Sequence, residues 1–166
     1  MLATLIDEPK KMTREQAEAQ VEDAHIGMLA HVSCSCDATL AKAPFARELA
    51  VDWMDSDDAM RRRCGYLLLY ELGKKKGKAY DDAFFEGYLE RIRESIQGEE
   101  NWVRDAMNLS MLSIGKRNRH LHAKTLEVAK AIGRVEVDYG DNDCKAPDIV
   151  KNLTSEWLLE KLGVRD

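Results

Sequence analysis

The feature that most constrains the fold of this chain is an internal repeat. The segment MRRRCGYLLLYELGKK at 60–75 aligns with WVRDAMNLSMLSIGKR at 102–117, at an offset of 42 residues. Each segment follows a stretch with the periodicity of an amphipathic helix, at 45–54 and at 83–96. The alignment pairs identical residues: Arg62 with Arg104, Gly73 with Gly115, and Lys74 with Lys116. A pair of helices therefore recurs along the chain.

The length of this repeat is typical of HEAT and armadillo units, which repeat a helix pair roughly every 40–47 residues. Strand signals are nearly absent, since Val135-Glu136-Val137 is the only β-like run. The sequence predicts an all-α fold, a HEAT-like or armadillo-type α-solenoid superhelix of about four helix pairs with one concave surface. We expect a single HEAT-like repeat domain over residues 1–166.

Capping signals predict the helix boundaries. Thr13 begins a helix that runs to about Asp23, and Gln16 completes a capping box with it. Gly73 is expected to end the helix that begins at Ala59. Further helices are predicted roughly over 28–40, 44–54, 59–72, 81–96, 101–114, 119–132 and 147–162.

Composition and charge narrow the functional class. The chain has 45% hydrophobic and 33% charged residues, which is normal for a soluble helical protein. No apolar run approaches a membrane span and no signal peptide is evident, so we expect a cytoplasmic protein without a membrane partner. The net charge of −5 argues against a general nucleic-acid coat, but it permits a local basic face.

Four segments of the chain are distinctive: LIDEPKKMT (5–13), LAKAPFARELAVDWMDSDD (40–58), ENWVRDAMNLSMLSIGKRN (100–118) and IGRVEVDYGDNDCKAPD (132–148). The region that they mark runs from Asp7 to Ile149. In sequence and spacing they resemble the bacterial HEAT-like DNA alkylation repair family, relatives of the alkylpurine DNA glycosylases. The resemblance covers the C-terminal two-thirds of the family, so we expect a short relative or a truncated chain. It implies a solenoid whose concave basic face cradles duplex DNA.

Active members of this family release N3- or N7-alkylated purines by cleaving the glycosidic bond. Their motif is a Trp followed four residues later by an Asp, and these positions fall on Leu29 and Ser33 here. Leucine and serine offer neither an aromatic face nor a charge for the cation that develops as the base departs. The nearest carboxylate is Asp37, which is the candidate catalytic residue if excision occurs.

The resemblance and the basic clusters together predict the DNA-binding residues. The Arg that reaches the DNA backbone in active members maps to Arg62 or Arg63, and cations of this kind contact phosphates. The full predicted set is Arg62, Arg63, Lys42, Arg104, Lys116 and Arg117. The expected partner is alkylated duplex DNA. The alternatives are that Arg62 and Arg104 bond to neighbouring acids or carbonyls, and that the protein is an inactive HEAT scaffold for a protein partner.

The acidic loop RVEVDYGDNDCKAPD at 134–148 lacks the spacing of a calcium-binding loop. We instead expect Gly140 to adopt a positive φ, Asp141 and Asp143 to accept hydrogen bonds from nearby amides, and Cys144 to pack inward.

A second possible metal site is the pattern His25, His31, Cys34 and Cys36. A C-x-C pair in a helix points its thiols apart, so buried thiols are the better interpretation. No metal and no cofactor is predicted. The tryptophans Trp53, Trp102 and Trp157 are expected in the core rather than as base-stacking platforms.

Overall fold

The computed structural model describes residues 8–25, 29–35, 39–75 and 80–164, and throughout these ranges the regular structure is helical. The nine α-helices of this part are α1 Arg14–Glu22, α2 Leu29–Cys34, α3 Ala46–Met54, α4 Ala59–Lys74, α5 Asp82–Ser95, α6 Asn101–Ile114, α7 Arg119–Ile132, α8 Ile149–Leu153 and α9 Glu156–Leu162. Short 3-10 helices cover Asp23–His25, Thr39–Lys42 and Ile96–Gly98. The all-α prediction is confirmed. No helix in these ranges is long and apolar enough to cross a membrane.

The chain divides into two compact units, residues 1–72 and 73–166, and each is described by itself. In the N-terminal unit, α1 begins with the predicted capping box: Gln16 donates its backbone N–H to Thr13 Oγ1 over 3.2 Å, and Thr13 donates its own to Gln16 Oε1 over 2.9 Å. The predicted apolar face of α3 is buried. Arg61 pairs with both Glu18 and Glu22, which ties α4 to α1.

Close backbone packing in this unit depends on Gly65. A Cβ at that position would lie 2.7 Å from the backbone nitrogen of Met54 and 3.0 Å from the carbonyl oxygen of Ala50. Both neighbouring atoms belong to the backbone of α3, so neither can rotate away. Glycine therefore lets α3 and α4 approach more closely than any other residue would allow.

The C-terminal unit is built from α5, α6, α7 and the two short helices that follow. The helices α5 and α7 pack along each other, and α7 also contacts α6 and α8. The core of the unit is aliphatic and aromatic, with fully buried side chains that include Phe85, Leu89, Ile92, Met107, Met111 and Leu121. A loop over 134–148 connects α7 to α8 and lies along α6 through hydrogen bonds described below.

The 42-residue repeat is visible in the helices themselves. Helix α4 begins at Ala59 and α6 begins at Asn101, which is the offset read from the sequence. Near each helix start an arginine bonds back to the preceding turn. Arg62 donates to the carbonyl oxygen of Asp57 over 2.8 Å, and Arg104 donates to that of Glu99 over 2.8 Å. The repeat therefore preserves a specific hydrogen bond as well as a hydrophobic pattern.

Some predicted boundaries were wrong. Gly73 does not end α4, which continues to Lys74. A Cβ on Gly73 would lie 2.2 Å from Ser113 Oγ and 2.9 Å from Ser113 Cβ, so this glycine serves close packing inside the C-terminal unit. The predicted helix over 147–162 is two helices, α8 and α9. At the break the Thr154 and Ser155 hydroxyls donate to the carbonyl oxygens of Val150 and Asn152, and such bonds compete with continued helix formation.

The predicted helix over 28–40 is also shorter than expected. The structure gives α2 at Leu29–Cys34 and a separate 3-10 helix at Thr39–Lys42. Residues 36–38 lie outside the described ranges.

Candidate nucleic-acid interface

The predicted DNA-binding cations have different local environments. In the N-terminal unit, Lys42 is exposed on a 3-10 helix, whereas Arg63 is only 4% exposed. Arg62 donates through Nη1 to the carbonyl oxygens of Ser56 and Asp57. The bonding of Arg62 to carbonyls, which the sequence left open, is therefore present. A phosphate-contacting role for these three residues stays a prediction.

In the C-terminal unit, Arg104 bridges two segments of backbone. Its guanidinium donates to the carbonyl oxygen of Glu99 and, over 2.9 Å, to that of Glu136 in the acidic loop. Arg117 donates to the carbonyl oxygens of Gly73 and Lys75 and lies 4.3 Å above the centre of the Phe85 ring. Burial lowers the pKa of Arg117 below its ordinary value. The guanidinium groups of both arginines thus bind backbone carbonyl oxygens from separate segments of the chain. A contact of either arginine with DNA stays a prediction.

Lys116 has a different setting. It lies exposed just beyond the end of α6, and its pKa is lowered by partial burial and then by the nearby positive charge of Lys161. Lys161 lies in the last turn of α9, with Nζ 4.7 Å from the centre of the Trp157 ring. Trp157 is 64% exposed. These three residues, Lys116, Trp157 and Lys161, form what we call the Lys116–Trp157 patch.

Local packing brings the patch together. Gly115 follows α6, and a Cβ there would lie 2.7 Å from Leu153 Cδ1, so α8 can lie close against the end of α6. Arg119, at the start of α7, donates to the carbonyl oxygen of Leu162 over 2.7 Å and fixes the end of α9. Asn118 caps α7 by accepting a hydrogen bond from the Leu121 backbone N–H. These contacts hold the end of α9 beside the residues that follow α6.

The chemistry of the patch suits an anionic, partly aromatic ligand. Within the described ranges, neither Lys116 nor Lys161 forms an ion pair with a carboxylate. Each lies at or just past the C-terminal end of a helix, where the helix dipole favours positive charge and offsets part of their mutual repulsion. Lysines that contact phosphates beside an exposed aromatic ring are typical of surfaces that bind unpaired or unstacked nucleic acid. The patch therefore combines two neighbouring positive charges with an exposed aromatic ring.

The tryptophan prediction was only partly right. Trp53 is buried, as expected, and its indole N–H donates to Glu18 over 3.2 Å. Trp102 and Trp157 are 38% and 64% exposed, so the prediction of core packing was wrong for both. The sequence prediction missed the break at Thr154 and Ser155, which leaves α9 only seven residues long and with Leu158 as its buried residue. Lys161 was also not among the predicted DNA-binding residues.

The acidic loop lies against α6 through several polar contacts. Asn101 and Asp138 exchange two hydrogen bonds: Asn101 Nδ2 donates to the Asp138 carbonyl over 2.6 Å, and the Asp138 N–H donates to Asn101 Oδ1 over 2.7 Å. The Tyr139 hydroxyl donates to Asp105 over 2.6 Å, and its ring meets Trp102 edge to face. Burial, and next the hydrogen bond to Asp105, raises the pKa of Tyr139 above its ordinary value.

Within this loop, Gly140 has the predicted positive φ, of 80°. The side chains that accept hydrogen bonds from loop amides are Asp138, from Gly140 N–H, and Asn142, from Cys144 N–H. The prediction that Asp141 and Asp143 do so was therefore wrong, and so was inward packing of Cys144, which is exposed. Among the described residues, no group of three or more His, Cys, Asp or Glu side chains is arranged to hold a metal ion.

The predicted catalytic residue Asp37 lies outside the described residues, as does Cys36. Cys34 is buried beside Cys64, and a hydrogen bond between the two thiols, followed by burial, raises the pKa of Cys34. A raised pKa disfavours the reactive thiolate, so Cys34 is a buried core residue, as the sequence indicated, and its contact with Cys64 was not predicted. Leu29 and Ser33, at the positions of the family motif, are both half-buried on α2.

The fold and the patch define a class of protein: a repeat protein of helix pairs, in which equivalent helices begin 42 residues apart, with a cationic surface near its C-terminal end. The family model described as DNA alkylation repair enzyme matches residues 5–139, and the chain belongs to this family. The predicted family is thus confirmed.

Two relatives are similar over 152 residues, which is 92% of this chain. An uncharacterized protein of Listeria innocua is 28% identical, and one of Listeria monocytogenes is 29% identical. The chain spans 65% of the length of each.

A solved structure is similar in fold, with a TM-score of 0.83 and 24% identity over 97% of this chain and 68% of that one. It is described as representing a new family of proteins related to the HEAT-like repeat DNA glycosylases, with affinity for branched DNA structures. The predicted HEAT-like fold is confirmed by this likeness.

Proposed function

We propose that this protein binds DNA through the Lys116–Trp157 patch and prefers branched DNA to a continuous duplex. The observation that carries the proposal is the pair of adjacent lysines, Lys116 and Lys161, beside the exposed ring of Trp157. Two like charges at close range repel each other, and phosphate binding relieves that repulsion. Family membership supports a DNA ligand, and the description of the structural neighbour supports a branched one.

The preference for branches follows from the tryptophan. Base pairs inside a continuous duplex are stacked on both sides and offer no free face to a side chain. At a branch point the stacking is interrupted, so a base can present its face to the Trp157 ring, and such stacking is worth about 1–3 kcal/mol per base. The two lysines would then contact phosphates of the strand that turns away.

Base excision is a separate activity that family membership suggests. In the proposed reaction, water adds to the anomeric carbon of an N3- or N7-alkylated purine nucleotide, the glycosidic bond breaks, and its electron pair neutralises the charge on the base. The water proton passes to solvent. We assign stabilisation of the cationic sugar to Asp37, since Leu29 and Ser33 carry no charge at the motif positions.

The binding proposal is tested by measuring the fluorescence anisotropy of a labelled four-way junction and of a linear duplex of the same sequence, at several salt concentrations. The junction is expected to bind more tightly, with an affinity that falls steeply with salt. Lys116→Ala and Lys161→Ala should each weaken binding to both DNAs and reduce the slope of log affinity against log salt by about 0.9. Trp157→Ala should remove the preference for the junction and leave the salt slope unchanged.

A matched control is Lys124→Ala, which removes a partly exposed lysine of the same unit that pairs with Glu127 over 3.6 Å. It should leave both affinities within about twofold of wild type, since a paired surface charge contributes little. Equal effects of Lys116→Ala and Lys124→Ala would contradict the role of the patch. Absence of binding to either DNA at low salt would overturn the proposal and favour a scaffold for a protein partner.

Excision is followed in the same samples by including N7-methylguanine in the duplex and measuring the free base by chromatography. Release that stops in Asp37→Asn but continues in Lys124→Ala would support the assignment of Asp37. Binding without release would identify a protein that recognises DNA structure and leaves its bases in place.

A further inference from the structure

The C-terminal unit contains a cavity of about 860 Å³ that the DNA-binding proposal does not use. It is lined by residues of α6, by the end of α7 and by the segment leading into α8. A cavity of roughly 300–1,000 Å³ is the usual size for a small-molecule or cofactor site.

The cavity is rich in positive charge, although the chain as a whole is acidic. The basic residues that line it are Lys130, Arg134, Lys145 and Lys151, against the single carboxylate of Asp148. That carboxylate caps α8 by accepting a hydrogen bond of 2.8 Å from the Lys151 backbone N–H. Arg134 pairs with Glu136 over 2.7 Å, whereas none of the three lysines forms an ion pair with another described residue. The lining therefore favours an anion with several negative oxygens.

Part of the cavity lining is apolar and buried, and we call this part the floor of the cavity. Met111, Ala129, Val135 and Ile149 are buried and line it together with Asn108, which is 0% exposed. Asn108 Nδ2 donates to the Pro147 carbonyl over 2.9 Å. Its Oδ1 accepts no hydrogen bond from any described residue. A buried oxygen of this kind is normally paired, so it is a ready acceptor for an N–H group that reaches the floor.

We propose that this cavity binds a nucleotide, with the phosphate on the lysines and the base against the apolar floor, where an amino group of the base donates to Asn108. Three features select this ligand class together: clustered cations for a phosphate, aliphatic walls for the flat base, and an unpaired acceptor for an N–H donor. Inorganic phosphate would satisfy only the first. Because Asn108 Oδ1 is covered, the base reaches it by displacing the side chains at the floor.

The ligand is tested by isothermal titration calorimetry of the full chain with deoxyadenosine 5′-monophosphate. Deoxyadenosine lacks the phosphate, deoxyribose 5-phosphate lacks the base, and purine deoxyriboside 5′-monophosphate lacks only the amino group. The complete nucleotide is expected to bind at least tenfold more tightly than each of these. Equal binding of all four compounds would overturn the proposal. The proposal would also be overturned if the complete nucleotide did not bind as a free molecule and did not bind as the unpaired end of a DNA strand.

Variants separate the two ends of the ligand. Lys130→Ala and Lys151→Ala should each weaken binding of the nucleotide by about tenfold, since each removes a charged partner of the phosphate. Asn108→Leu should weaken binding of the nucleotide and leave that of deoxyribose 5-phosphate unchanged. If that variant does not fold, the ligand that lacks the amino group gives the same comparison in wild-type protein.

Two further comparisons identify the source of the nucleotide and separate this proposal from the DNA-binding one. We compare a duplex that has one unpaired terminal nucleotide with a blunt duplex. If the first binds more tightly and Lys151→Ala removes the difference, the natural ligand of the cavity is the end of a DNA strand. Tight binding of the free nucleotide alone would indicate a soluble ligand. Lys116→Ala should leave binding of the free nucleotide unchanged, so failure of either proposal is visible without the other.

Discussion

Arg62 and Arg104, forty-two residues apart, each donate a hydrogen bond to the carbonyl oxygen of the residue five positions earlier. The acceptors, Asp57 and Glu99, precede the helices that carry the two arginines. The guanidinium thus satisfies a backbone carbonyl in the turn between paired helices. Repetition of this contact makes it part of the repeat unit.

We expect Arg104→Ala to lower the free energy of unfolding by roughly 1.5–3 kcal/mol, because it removes charged hydrogen bonds to the carbonyl oxygens of Glu99 and Glu136. Urea unfolding followed by circular dichroism measures the change. The control is Arg93→Ala, which removes a surface arginine paired with Glu90 over 3.2 Å and should change stability by less than about 0.5 kcal/mol. Similar losses in both variants would show that the carbonyl contacts do not stabilise the repeat.

Gly65→Ala should destabilise the protein by about 1–3 kcal/mol, since its Cβ would overlap the backbone of α3 at Met54. Gly87→Ala provides the matched control in α5, where no neighbouring heavy atom lies within 4 Å of the added Cβ. Alanine in that exposed helical position should stabilise by about 0.5–1 kcal/mol. The two melting temperatures should therefore move in opposite directions, and a shift of both in the same direction would contradict the proposed packing.

Tyr139→Phe should lower stability at neutral pH, because it removes the hydrogen bond to the nearly buried Asp105. The raised pKa of Tyr139 means that the folded state holds the phenolic proton more tightly than the unfolded state does. That stabilisation is fully present below pH 10 and is lost as pH rises from 10 toward the folded pKa.

Wild-type stability should consequently fall more steeply than that of Tyr139→Phe above pH 10. Urea unfolding of both proteins at pH 8 and pH 11 provides the measurement. A difference in stability that stays constant between these pH values would rule out a raised pKa for this tyrosine.

Asp138→Ala should cost about 0.5–1.5 kcal/mol, since its carboxylate accepts a hydrogen bond of 2.8 Å from the Gly140 N–H. Asp141→Ala removes an exposed carboxylate of the same loop and should change stability by less than about 0.5 kcal/mol. Thermal unfolding with and without added Ca²⁺ tests the loop as a metal site. A melting temperature that rises with Ca²⁺ and loses this rise in Asp141→Ala would show that the loop binds the ion.

Much of the fold could be predicted because the signals are local. The boundaries of α6 at Asn101–Ile114 and of α7 at Arg119–Ile132 agree with the prediction to the residue. Periodicity and capping report interactions within one or two helical turns, which a single sequence contains in full. The repeat offset of 42 residues also predicts which helices form pairs, since equivalent segments of a repeat protein pack in equivalent ways.

The candidate site was less accessible to prediction. Lys116 was identified from the repeat, but its neighbours Lys161 and Trp157 lie some forty residues later in sequence and carry no motif. Only packing at Gly115 and the Arg119 contact bring α9 beside Lys116. The cavity at Asn108 was missed for the same reason, because its walls come from separate helices and the loop that joins them.

The sequence by itself determined the helical class, the repeat length and the family, because these depend on periodicity, caps and motifs along the chain. The tertiary structure decided which polar groups are satisfied internally and which remain for a ligand. Arg104 and Arg117 bond to backbone carbonyls, whereas the Lys116–Trp157 patch presents its charge and its ring at the surface. The physical reason is that hydrogen bonding and exposure depend on residues distant in sequence, whose proximity is fixed only when the helices pack.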